Sequence, residues 1–291
     1  MKKKTLNGIL YSAAGSFWWG VLGVLYFKSV AFVSALELAL HRTIWTAFLL
    51  TVIISFSSKW EEVIKILKIK KKFFFLILSS FLIFANWYTW IYAVTVNKLV
   101  DASFGYYIYP ILSAFFGIVF LKESYNKIKI ISFSLVVLSV IYLLFNFASI
   151  PWVGLVVAIT WSCYTLVRKK INVSPDLGLF IESAFITPLA FVLFYFIYKS
   201  GNNVFGAINL STDIWLFFAG AMTLIPLYLF LKGTELSGLG PSGMIFFITP
   251  TGQFILGIFY FGETLDTNKL VSFLIIWFAV AIYLRELAKD K

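Results

Sequence analysis

The chain has 291 residues, 61% of them apolar and 13% charged, with a formal net charge of +11. Soluble domains run at about 45–50% apolar and about 25% charged, so this apolar excess has no place in one aqueous core and belongs in bilayer spans of ~20 residues. One cysteine, Cys163, and one histidine, His41, exclude an intrachain disulfide and the usual Cys/His zinc patterns. No cofactor or metal is expected. The basic residues sit in short loops rather than on one face, which argues against nucleic acid.

In chain order the apolar runs predict an all-α membrane protein with ten spans, near 6–27, 34–56, 73–96, 101–121, 128–147, 151–167, 176–198, 213–231, 241–261 and 268–286. The first follows Lys2, Lys3 and Lys4, and its stretch from Leu6 to Phe27 exceeds the about 7–15 residues of a cleaved signal. The 57–72 loop carries Lys59, Lys65, Lys68, Lys70, Lys71 and Lys72 interleaved with Val63, Ile64, Ile66, Leu67 and Ile69. It reads as a topology anchor or a short amphipathic helix on the inner surface. Arg168-Lys169-Lys170 closes the short sixth span. With the N-terminus inside, nineteen Lys and Arg fall on the cytoplasmic side and four outside, while Arg42 lies within a span. This bias places both termini in the cytoplasm.

Residues 103–133 and 243–273 read as one segment written twice at an offset of 140. Pro110 matches Pro250, Gly117 matches Gly257, Glu123 matches Glu263, Lys129 matches Lys269, and Ser132-Phe133 matches Ser272-Phe273. Each half holds an odd number of spans, so the second copy is inverted relative to the first. The expected architecture is two inverted five-helix repeats, 1–147 and 148–291. Inverted repeats of this kind underlie alternating access in many transporters.

Ionisable groups inside spans cost at least ~2.5–3.5 kcal/mol on insertion scales and must find a partner or a cavity. Glu37, His41 and Arg42 cluster near the start of the second span. They neutralise one another, anchor the helix at the interface, or serve as a gate, solute contact or proton site. Glu182, near Pro188 in the seventh span, reads as the mirror of Glu37 at the opposite mouth, or as a carboxylate bonded to a nearby hydroxyl. Asn86, with Trp87 and Trp90, and Gln253 need partners or water within the bundle. Pro110 and Pro250 free backbone carbonyls at matching positions, which points to a central site or to simple packing. Trp18, Trp19, Trp45, Trp87, Trp90, Tyr106, Tyr109, Trp161 and Tyr164 lie inside spans rather than at the interfaces. They fill the core, or they line a cavity for a flat or cationic solute.

The run Glu37-Leu-Ala-Leu-His-Arg-Thr-Ile-Trp45, then Asn86-Trp87, Asp101-Ala-Ser-Phe-Gly-Tyr-Tyr-Ile-Tyr-Pro110 and Leu121-Lys-Glu123, resembles the RarD branch of EamA-type drug/metabolite transporters. Leu179-Phe-Ile-Glu182, Pro188, Pro226-Leu and Phe246-Phe-Ile-Thr-Pro250 agree in the second half. The resemblance implies a multi-pass protein of the bacterial inner membrane. It implies movement of a small organic solute, often export, through a cavity between spans one to four and six to nine. Relatives in the superfamily carry amino acids, nucleotide-sugar-like metabolites or S-adenosylmethionine. Glu37, His41, Arg42, Asn86, Trp87, Asp101, Tyr106 and Glu182 fall on branch-typical positions.

No nucleotide loop is present, so the leading expectation is a secondary carrier. Its partners would be a solute and membrane lipids, as a monomer or homodimer, with Glu37, Asp101 and Glu182 as coupling or gating candidates. A flippase or passive channel is the alternative. An intramembrane enzyme would need a nucleophile–base pair, paired carboxylates or a metal cluster, and the spacing supplies none.

Overall fold

The computed structural model describes residues 3–96, 99–145, 152–260 and 267–289. It is helical, with no strand among the described residues. Helix α1 (Lys3–Phe17), a π-helical stretch (Trp18–Gly23) and α2 (Val24–Ser29) form one continuous first span. Then come α3 (Ala35–Phe56), the short α4 (Trp60–Lys68), α5 (Lys70–Thr95), α6 (Leu99–Leu121) and α7 (Lys127–Leu144). The second half holds α8 (Trp152–Ile171), α9 (Pro175–Lys199), α10 (Leu210–Ser237), α11 (Leu239–Ile245), α12 (Ile248–Phe259) and α13 (Thr267–Lys289). Among the described residues seven stretches are long and apolar enough to cross a membrane: the first span, α3, α5, α7, α9, α10 and α13. The remaining predicted spans coincide with α6, with α8 and with the α11–α12 pair.

Polar contacts sort the helix ends onto two faces. On one, Lys59 Nζ meets Asp176 Oδ2 at 2.6 Å, Lys169 Nζ donates to the carbonyls of Thr234 and Glu235, and Asn126 Nδ2 donates to Glu286 Oε1. This face carries the lysine- and arginine-rich segments and is called the basic face below. On the other, Tyr26 Oη donates to the Trp215 carbonyl at 2.8 Å and Tyr142 Oη to Asn268 Oδ1 at 2.8 Å. Successive spans therefore run antiparallel. The lysine-rich loop does form a helix, α4, in which Val63 is buried while Ile64 and Leu67 stay exposed.

The packing repeats across the two halves. α1 lies along α10 as α8 lies along α5, and α6 packs on α8 as α11 and α12 pack on the first span. α3 pairs with α9, and α7 with α13. Ser132 and Phe133 of α7 and their twins Ser272 and Phe273 of α13 are all buried, and Ser139 Oγ donates to the Ser272 carbonyl. Of the other twinned positions, Gly257 and Lys269 have side chains outside the described ones, and Glu263 lies outside the described residues. The matched prolines act differently. α6 runs unbroken through Pro110, whereas the ninth span breaks at Phe246–Phe247. Phe246 is four residues before Pro250, where the proline ring clashes with the preceding carbonyl.

The first span meets α12 backbone to backbone. A Cβ on Gly20 would lie 2.8 Å from the Thr249 carbonyl oxygen, and one on Gly252 would meet the Gly20 carbonyl. Small residues let membrane helices approach this closely. Gly20→Leu is expected to overpack the contact, cost about 1–3 kcal/mol and lower the melting midpoint in detergent. Ala14→Leu, at an exposed position of α1, is expected to leave the midpoint unchanged.

Candidate functional site

Where the first span, α3, α5, α6, α8 and the broken ninth span meet, they enclose a cavity of about 40 Å³. One water needs roughly 10–15 Å³ by this measure, so in this conformation the space admits water and no organic molecule. Helical spacing explains which side chains reach it. Trp19, Gly23 and Phe27 recur every four residues on the first span, and Phe246, Thr249 and Gln253 share one face of the ninth. α5 contributes Asn86, Trp87 and Trp90, while Arg42, Tyr106 and Trp161 come from α3, α6 and α8.

Aromatic layers flank the cavity. Toward the basic face, Trp161 lies 5.4 Å from Trp19 and 5.6 Å from Phe230, and Phe246 lies 4.8 Å from Tyr109 and 5.2 Å from Phe230. Toward the opposite face, Phe27 and Trp90 meet edge to face at 5.2 Å. Asn86 Nδ2 donates to the Val157 carbonyl and to Thr160 Oγ1, both at 3.0 Å. That ties α5 to α8 and leaves the amide oxygen as the group Asn86 can offer the cavity.

The charges near the start of α3 do not neutralise one another as a trio. Glu37 Oε1 accepts the backbone N–H groups of Val204 and Phe205 at 2.8 and 2.9 Å, and His41 Nε2 stands 3.9 Å from it. Trp45 Nε1 donates to His41 Nδ1 at 3.0 Å, which fixes the histidine proton on Nε2 when the ring is neutral. Arg42 turns the other way. Its Nε donates to Thr223 Oγ1 at 2.8 Å, and its guanidinium carbon lies 4.8 Å from the Phe27 ring and 4.9 Å from the Trp87 ring. The reason is geometric: consecutive helical residues point about 100° apart, so His41 and Arg42 address different neighbours.

Glu182 is buried among Ser79, Tyr164 and Arg168. It accepts from Ser79 Oγ and from Tyr164 Oη at 3.0 Å, and Arg168 Nη1 stands 3.3 Å away. Arg168 is no loop residue. α8 continues to Ile171, and the arginine turns inward over Gly178, where any side chain would collide with it. Glu182 also does not mirror Glu37. Ser34 and Ser174 cap α3 and α9 at the 140-residue offset. Counted from those caps, Glu182 occupies the position of Arg42.

Of the residues read as solute-binding, Trp19, Arg42, Asn86, Trp87, Trp90, Tyr106, Trp161 and Gln253 come together around the cavity. Four do not. His41 faces Glu37. Trp18 is not among the lining residues. Tyr109 and Tyr164 lie one layer toward the basic face, Tyr109 against Phe230 and Phe246 and Tyr164 stacked 5.5 Å from Trp161. Glu37 and Glu182 do not line the cavity either. Asp101 lies in α6, with its side chain outside those described. Sequence reasoning missed Gly23, Phe27, Phe246 and Thr249, although the four-residue spacing from Trp19 and the shared face with Gln253 could have found them.

Breaking a buried ion pair from one side leaves an uncompensated charge, at about 3–5 kcal/mol. Arg168→Met is therefore expected to lower the melting midpoint sharply. Arg168→Met combined with Glu182→Gln should recover much of the loss. A single variant that melts like the unaltered protein would contradict the pairing.

The model of the EamA-like transporter family matches the chain twice, over residues 6–145 and 149–285. Protein RarD of Salmonella typhi is 34% identical, covering 98% of this chain and 96% of that protein. Protein RarD of Escherichia coli strain K12 is 32% identical with the same coverage. YojE of Bacillus subtilis, described as an uncharacterized transporter, is 32% identical over 96% of this chain and 94% of its own. A solved crystal structure shares the fold with a TM-score of 0.69 at 15% identity, covering 95% of this chain and 96% of that one. With its apolar helices and its paired, antiparallel packing, the chain belongs to the EamA-like transporter family, in its RarD branch.

Proposed function

We propose that this protein is a secondary carrier that moves a small organic solute across the bacterial inner membrane by alternating access. Units 1–147 and 148–291 would be its two moving halves, and both termini would lie in the cytoplasm. The observation that carries this reading is the cavity itself. It lies deep in the bundle, it is lined from both halves, and aromatic layers flank it toward both faces. A passive channel would need a continuous polar path, which those layers interrupt. An enzyme would need a nucleophile–base pair, and the lining offers none.

A contact between the halves on the basic face fits a gate. Glu123 accepts the backbone N–H groups of Leu239 at 2.7 Å and Gly240 at 3.0 Å, so the start of the first unit's α6–α7 loop holds the start of α11. Gly238 makes this possible with φ +98°, a conformation that L side chains rarely adopt. Beside it an open vestibule of about 830 Å³ is lined by Lys4, Lys129 and Lys169 together with Glu123 and Glu235. In the carrier reading the solute passes between vestibule and cavity when the aromatic layer of Trp161, Phe230 and Phe246 parts.

The test replaces the single native cysteine. In a Cys163→Ser background, Gln253→Cys places one thiol at the cavity. Alternating access predicts that a membrane-impermeant thiol reagent labels it from either face, in right-side-out and in inverted vesicles. It also predicts that trapping one state abolishes labelling from the other side. Labelling from one face under every condition would contradict the reading.

A further inference from the structure

Resting on the carrier reading, we propose that the solute is an organic carboxylate, a compact molecule whose anionic group is held by Arg42 and whose apolar or aromatic body packs against the tryptophans. Arg42 is 4% exposed, lines the cavity and, among the described residues, has no acidic partner. Its one hydrogen bond, from Nε to Thr223 Oγ1, leaves the two terminal nitrogens unassigned. Among the described residues the intramembrane carboxylates Glu37 and Glu182 are engaged elsewhere, Glu37 by Val204 and Phe205 and Glu182 by Arg168. A cation held in lipid without a counter-ion calls for one.

A second observation points the same way. Trp90 and Trp161, both cavity-lining and both more than nine-tenths buried, have indole N–H groups with no hydrogen-bond partner among the described residues. Indole nitrogen only donates. Among the described residues the lining carries no carboxylate, and beside the acceptor oxygen of Asn86 it offers guanidinium and indole donors, which favour a guest rich in acceptors over a cation. On this proposal the solute is not the cation that the aromatic residues alone allow.

The chemistry narrows further. The guanidinium lies over the Phe27 ring and over the Trp87 ring, and its planar fork matches a carboxylate bidentately. One arginine balances one negative charge. A phosphate monoester brings about −1.5 to −2 at neutral pH, which would leave net charge in an apolar site. The small free volume then requires the tryptophans to part around the guest's body as it enters.

The experiment is thermal stabilisation of the purified full-length protein in detergent by matched probes. Benzoate, phenylacetate and indole-3-acetate form the acid arm. Their primary amides form the neutral arm, phenethylamine the cationic arm and phenyl phosphate the phosphate arm. At least one acid is expected to raise the midpoint, with its amide, the amine and the phosphate giving little or no shift. Arg42→Gln should abolish the acid's effect, and Arg42→Lys should weaken it roughly tenfold or more, since lysine lacks the fork. The comparison among probes needs no variant, so it holds even where Arg42→Gln fails to fold. No shift from any acid, equal shifts from acid and amide, a larger shift from the amine or the phosphate, or an undiminished acid shift in Arg42→Gln would overturn the proposal. If it falls while the thiol at position 253 still switches faces, the carrier reading stands. If the acids bind and the thiol never switches, the anion site stands and the carrier reading falls.

Discussion

Every polar group carried into lipid must be satisfied from within the protein, and the architecture is organised by that constraint. Glu37 takes two backbone N–H groups from the segment before α10. Glu182 takes Arg168, a tyrosine and a serine. At the basic face, outside the spans, Glu123 likewise takes the first amides of α11. Each of these bonds joins elements far apart in sequence or at the seam of two helices, so neutralising a charge also fixes a packing partner. Among the described residues Arg42 is an exception. It has aromatic faces and one hydroxyl, and it stands at the one place where those partners border open space.

The two halves share a scaffold and differ in what they hang on it. Ser34 and Ser174 start α3 and α9 in the same backbone conformation, with ψ near 145° in both. Eight residues later one helix carries an arginine and the other a glutamate. The glutamate is locked into a structural pair and the arginine faces the cavity. In the carrier reading a symmetric frame offers two similar openings, while among the described residues the space between them holds an arginine and no acid.

Much of the fold was legible in the sequence because span length and apolar content are set by bilayer thickness, a constraint that acts on each helix alone. Side-chain destinations were less legible because they depend on neighbours. Three consecutive basic residues read as a loop, yet Arg168 turns inward because Gly178 leaves room and Glu182 needs a cation. Glu37, His41 and Arg42 looked like one cluster, yet helical rotation sends them to different partners. The π-helical stretch at Trp18–Gly23 has only Gly20 and Gly23 as its signal. The break of the ninth span was visible in Pro250, but Pro110 at the matching place breaks nothing. Two thirds of the cavity lining was legible for a simpler reason: Trp19, Arg42, Asn86, Trp87, Trp90, Tyr106, Trp161 and Gln253 are too large or too polar to be wasted inside a span without a purpose.

The central claim is that the two halves rock about this cavity so that one face opens as the other closes. Paired spin labels measure it directly, with one pair at Ser124 and Leu236 on the basic face and another at Phe32 and Ile208 on the opposite face. Distance distributions in lipid nanodiscs should show two populations. In conditions that lengthen the first distance, the second should shorten. Distances that stay fixed at both faces, or that lengthen together, would contradict the account.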